Sequence, residues 1–158
     1  MALDHFIRPT VNDATPVAVR LGAGSGAANN LTTKETGKFA KLAAESRYAL
    51  AAVGDDIEGV ISSVELATQN GFSYGGVVQD GRLYVTFDGL QATPGTGTIA
   101  VGDIVNVGTP VAKDTALSGP PRVCKATTPA NVVFKWRVES LGSAGTGAVG
   151  TTGVIARI

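Results

Sequence analysis

A chain of 158 residues has room for one domain and an arm, and its 44% hydrophobic content with only 6% aromatics implies a core of Val, Ala, Leu and Ile. Thirteen Lys and Arg balance thirteen Asp and Glu, which leaves no net field to draw nucleic acid or an anionic membrane. A single cysteine, Cys124, excludes an intrachain disulfide and a multi-cysteine zinc site.

Small side chains bury little area each, at about 25 cal/mol per Å² of apolar surface. One modestly stable core is therefore expected, with further burial gained by association with copies of the chain or with a larger partner. No apolar stretch approaches the roughly 20 residues that cross a bilayer. The opening MALDHFIRPT carries an acid and a proline where a signal peptide has a basic region and an apolar run. Synthesis and use in a cytoplasm are expected.

Residues 1–36 mix polar residues, prolines and the run GAGSGAANN around one strand-like segment, Val17–Leu21. Val17, Val19 and Leu21 alternate there with Ala18 and Arg20. This texture predicts an extended arm whose strand pairs with the sheet edge of a neighbouring subunit or larger partner. The competing expectation is an integral strand of the domain. Gly22, Gly24 and Ala27 imitate the G-x-G-x-x-A turn that cradles a dinucleotide pyrophosphate. That turn needs a helix behind it, and residues 29–37 have poor helix propensity, so a glycine loop is predicted. The only histidine, His5, stands in the arm beside Phe6 and offers no base to a serine or cysteine nucleophile. Asn30-Leu31-Thr32 matches a glycosylation pattern and, without a secretion signal, reads as coincidence.

From residue 37 to about residue 141, short β-branched stretches alternate with Gly, Asp, Pro and Thr turns, the texture of an all-β barrel or sandwich. The folded domain is placed at residues 37–158. The run AKLAAESRYALAAVG holds strong helix formers before Gly54, yet Arg47–Leu50 reads equally as a strand between turns. Asp55, Asp56 and Glu58 form an acidic cluster without the spacing of a calcium loop and read as a solvated turn. Ala52-Val53-Gly54-Asp55 and Ala100-Val101-Gly102-Asp103 echo one another, each placing a Gly-Asp turn before a new strand. They are either a repeat or two independent turns.

In VVQDGRLYVTF, Asp80-Gly81 predicts a tight hairpin. Leu83, Val85 and Phe87 then face the core, Arg82, Tyr84 and Thr86 face outward, and Asp88-Gly89 ends the strand. Tyr84, on the outward face, is a candidate contact residue. Cys124, in the strand-like RVCKA, reads as a small buried hydrophobe. Val132, Phe134, Trp136 and Val138 alternate with polar neighbours and form another core face, which assigns Trp136 to the interior. Residues 142–153 form a Gly/Thr-rich connection, and residues 154–158 read as one more short strand.

The runs TGKFAKLAAESRYALAAVGDDIEGVISSVE, GGVVQDGRLYVTFDG and TIAVGDIVNVG resemble the head decoration, or capsid cement, proteins of tailed bacteriophages. The resemblance covers residues 37–108, with 153–158 as a further match, and rests on turn and strand signatures. It favours the strand reading of Arg47–Leu50. It implies a small β-barrel that binds the outer surface of an expanded capsid and strengthens it, as a homodimer or homotrimer on the major capsid protein. Such a protein is made in the host bacterial cytoplasm, resides on the virion, and needs no cofactor or catalytic group. The expected capsid or subunit contacts are Val17, Val19, Leu21 and Tyr84. The alternative class is a carbohydrate- or surface-binding β-module of a phage tail or adhesin, against which the 6% aromatic content weighs. No catalytic constellation is found, so the chain is not expected to be an enzyme.

Overall fold

The computed structural model describes residues 17–23, 29–44, 47–65 and 73–158, and it is all-β. In the first half lie β1 (Val17–Leu21), β2 (Phe39–Ala44), β3 (Arg47–Leu50), β4 (Gly59–Glu65) and β5 (Ser73–Val78). They close into a barrel in the order β1-β3-β2-β4-β5, with β5 returning to β1. In the second half lie β6 (Arg82–Leu90), β7 (Thr93–Pro94), β8 (Ile104–Val107), β9 (Arg122–Lys125), β10 (Trp136–Ser140) and β11 (Thr152–Arg157). The sheet β11-β10-β8-β9-β6 also returns on itself, because β11 pairs with β6 from Thr152↔Thr86 to Ala156↔Arg82. Two closed rings thus leave few open edges among the described strands, and β7 is a short appendage on β6.

The alternating faces read from the sequence explain the strands. Leu83, Val85 and Phe87 are buried while Arg82 is exposed and Tyr84 and Thr86 are half-buried. Trp136 and Val138 are buried between exposed Arg137 and Glu139. β2 and β3 pair antiparallel, from Ala40↔Leu50 to Leu42↔Tyr48, so the helix-or-strand ambiguity resolves as two strands.

The single expected core is two. Leu21, Leu31, Ala40, Tyr48, Ile61, Val64 and Val77 fill the first ring. The second cluster is built on Val85, Phe87, Val105, Val123, Trp136 and Ile155, and it also takes in Phe39, Ala51, Ile57 and Val60. Period-2 alternation makes this sharing inevitable. On β2, Ala40 points into the first ring and Phe39 into the seam between rings; on β4, Ile61 and Val60 divide in the same way.

Three expectations are corrected. Val17–Leu21 is no detached arm segment: β1 pairs along its whole length with β5, from Val17↔Val77 to Leu21↔Ser73, and in parallel with β3. An apolar strand beside a free sheet edge is worth more inside the ring than outside it, so the expected boundary at residue 36 falls after the first strand of the barrel. Residues 1–16 lie outside the described residues. Asp80-Gly81 makes the predicted positive-φ turn, with Gly81 at φ 99° and its N–H donating to Asp80 Oδ1 at 2.7 Å. It does not make a hairpin, however, because β5 pairs with β1 and β4 while β6 pairs with β7, β9 and β11. The turn is the joint between rings. Finally, Asp88-Gly89 does not end its strand, since β6 runs on to Leu90.

Candidate functional site

The two Gly-Asp turns have the same bonding. In the first, Ala52 N–H donates to Asp55 Oδ2 at 2.7 Å and Asp55 N–H to the Ala52 carbonyl at 3.1 Å. In the second, Ala100 N–H donates to Asp103 Oδ2 at 2.8 Å and Asp103 N–H to the Ala100 carbonyl at 3.1 Å. Gly54 and Gly102 take φ of 81° and 92°, which side-chain-bearing residues resist. Each turn then docks on one strand residue: Gly54 and Asp55 exchange backbone bonds with Val107, and Gly102 and Asp103 with Val138. Each Asp also meets a lysine of another strand, Lys41 at 2.6 Å and Lys125 at 2.9 Å. The outcome is a pair of equivalent joints whose tips expose Val53 and Val101.

The rest of the acidic cluster also serves backbone bonding. Asp56 Oδ2 accepts the Val133 N–H at 2.8 Å, and Glu58 Oε2 accepts the Leu42 N–H at 3.0 Å. Among the described residues no group of three or more His, Cys, Asp or Glu is placed to hold a metal ion. Cys124 is fully buried, and burial first, then the nearby Asp88 charge, pushes its thiol up to about 11. It stays a thiol at neutral pH and donates to the Val107 carbonyl at 3.1 Å. His5, Gly24 and Ala27 lie outside the described residues. Behind Gly22, residues 33–35 form a single 3-10 turn rather than the helix a dinucleotide turn requires.

A cleft of about 160 Å³ lies along the seam between the rings. Its floor includes Phe39, Leu50, Ala51 and Val107, and residues of the 109–121 connection, among them Val111 and Leu117, line it from the other side. Charged groups buried beside the apolar seam hold this connection in place. Glu35 is fully buried and Lys38 nearly so, 3.4 Å apart. Glu35 also accepts Thr32 N–H at 2.6 Å, Thr32 Oγ1 at 2.8 Å and Asp114 N–H at 2.6 Å, and Lys38 Nζ donates to the Ala112 carbonyl at 2.8 Å. Burial alone would raise the Glu35 carboxyl. The Thr32 and Asp114 bonds and the Lys38 charge outweigh it and hold the group below the ordinary glutamate range. Asp88, a buried residue near the end of β6, accepts Thr109 N–H at 2.7 Å and pairs with Arg122 at 3.0 Å.

Sequence reasoning did not single out Glu35 or Lys38, and it read Asp88 only as half of a strand-ending turn. Glu35 had a local signal, since Thr32-Thr33-Lys34-Glu35 is a capping box, formed here around the 3-10 turn Thr33–Glu35. Lys38 and Asp88 had no signal for their bonds to the 109–121 connection, since Ala112 stands 74 residues from Lys38 and Thr109 stands 21 from Asp88.

The four contact residues expected from sequence are not brought together. Leu21 is fully buried in the first core, where it can touch no partner, and Val19 packs partly against the same core. Val17 pairs with Val77 in the barrel. Tyr84 does stand on an outer face, formed by β6, β11 and β10, half-buried with its hydroxyl 2.7 Å from Thr152 Oγ1. Cross-strand register puts Val154 opposite Tyr84 and Ala156 opposite both Arg82 and Arg137. Arg82 Nη2 donates to Glu139 Oε1 at 2.9 Å across this face. Thr86 extends the face to the cleft, which it lines, with its hydroxyl donating to the Pro120 carbonyl at 3.3 Å. The arrangement offers a mixed apolar and charged surface. Comparisons of the chain with protein-family models, with curated proteins and with solved structures return no match.

Proposed function

We propose that the chain is a structural virion protein that binds the outer surface of a tailed-phage capsid and reinforces the shell. The observation that carries this reading is the pair of Gly-Asp turns: the segments that resemble capsid cement proteins form equivalent joints, with matching aspartate bonds and lysine pairs. The reading assigns the chain a mechanical task. Closed rings resist shear because an opened strand must break bonds on both sides.

Attachment is assigned to the Tyr84 face and to a homo-oligomer, dimer or trimer, that touches several copies of the major capsid protein at once. Multivalent contact converts each further binding event into an intramolecular one, so weak individual contacts sum to slow release. The test is co-sedimentation of the purified chain with expanded empty shells of the phage that encodes it. Saturable binding at a fixed ratio to the shell subunit supports the reading. Its absence with the chain in excess, or equal binding to unexpanded and unrelated shells, contradicts it.

A further inference from the structure

We propose that residues 109–121 form a strap latched by Glu35 across the seam between the two rings, and that protonation of Glu35 releases the strap before either ring unfolds. The strap has fixed ends and a lightly held middle. At its ends, Thr109 N–H donates to Asp88 Oδ2 at 2.7 Å, and Thr86 N–H donates to the Pro121 carbonyl at 3.0 Å. Between them the chain forms no helix or strand, and residues 114–116, 118 and 119 are exposed. Among the described residues two bonds tie this middle to the first ring, Asp114 N–H to Glu35 Oε1 and Lys38 Nζ to the Ala112 carbonyl. Both run through the buried pair. Asp114 takes φ 64°, a left-handed conformation uncommon for a residue with a side chain.

A proton on Glu35 acts on both ties. It weakens the acceptor of the Asp114 amide, and it strips the nearly buried Lys38 ammonium of its countercharge. Lys38 then regains compensation only by moving toward water, which draws on its bond to Ala112. The charged groups around the latch are Lys38 on its own segment and, on the strap, Asp114, which pairs with Lys113 at 2.7 Å; Lys34 also acts on Asp114. The rings depend on strand pairing and two apolar cores, which no proton on Glu35 touches. Since the folded carboxyl titrates below the ordinary glutamate range, the latch holds at neutral pH and lets go as pH falls through that lower value. Release uncovers Phe39, Leu50, Ala51 and Val107 along the cleft.

Amide hydrogen exchange on the full chain tests this, with rates referred to the intrinsic rate at each pH. As pH is lowered from about 7 to about 3, the Asp114 amide should lose at least tenfold in protection while the Val138 and Phe87 amides keep theirs and Trp136 emission stays native. Glu35→Gln should show the same selective loss at neutral pH, while the Thr109 amide, held by Asp88, stays protected. Loss of Asp114 protection only together with Val138 and Phe87, or none across the pH range, overturns the proposal. So does a folded Glu35→Gln with Asp114 fully protected. If that variant does not fold, the pH series is repeated on Asp88→Asn, where the Asp114 amide must still lose protection as pH falls; a flat Asp114 profile there overturns the proposal.

Discussion

Trp136 donates its indole N–H to the carbonyl oxygen of Ile57 at 2.9 Å, both residues being fully buried. This bond joins β10 of the second ring to the connection that leads into β4 of the first. Trp136→Phe keeps an aromatic ring but leaves the Ile57 carbonyl without its donor and a void beside it. An unfolding free energy lower by about 2 kcal/mol or more is expected. Urea unfolding followed by circular dichroism measures it, and an unchanged midpoint would show that the bond contributes nothing to holding the rings together.

Asp55 and Asp103 should be energetically interchangeable. Each caps its own turn and meets one lysine, so Asp55→Ala and Asp103→Ala should each cost about 1 kcal/mol. The lysine pairs are partly exposed and add little of this. Two losses that differ by more than about 1 kcal/mol would mean that the turns share a shape without sharing a role.

The second ring was more legible in the sequence than the joint between the rings. Alternation alone placed Leu83, Val85 and Phe87 inside and Tyr84 outside, because a strand with one buried face writes its period into the residues. Asp80-Gly81 gave the turn but not the partners, since a positive-φ glycine fixes local direction and says nothing of which strand pairs with which. β1 was misplaced for a related reason: Pro16 and a glycine loop isolate Val17–Leu21 along the chain, while its partners in β5 stand between 52 residues (Leu21↔Ser73) and 60 residues (Val17↔Val77) further on. The latch of Glu35 and Lys38 was hidden because a buried ion pair and a surface one look alike until the fold closes over them.

Because β1 belongs to the first barrel, truncation has a definite consequence. Deleting residues 1–36 removes β1 together with Leu21, Leu31 and Glu35, which opens the ring and bares one edge of β5. The truncated chain should aggregate or lose the strand signal of the first ring. A soluble truncation that melts as the full chain does would contradict the closed ring.

Acid should weaken the fold in part through Asp88. Burial raises its carboxyl, but the Thr109 bonds and then the Arg122 bond and charge outweigh that and hold it below the ordinary aspartate range. A folded value below the unfolded one means that Asp88 adds stability above the ordinary range and that this is lost as pH falls through the folded value. Asp88→Asn should therefore be less stable than wild type at neutral pH and show a shallower decline between about pH 5 and about pH 2. Parallel urea midpoints across that window would rule Asp88 out as a source of the acid dependence.

The most direct test of the proposed reinforcing role is the heat resistance of the shell itself. Expanded, genome-filled shells lacking the chain are heated with and without added protein, and genome release is followed with an external nucleic-acid dye. The release temperature should rise as the chain is added and stop rising at saturation, and Tyr84→Asp, which buries a charge in the assigned contact face, should shift that saturation to higher protein concentration. A release temperature that does not move with the wild-type chain bound at saturation would contradict the proposed function.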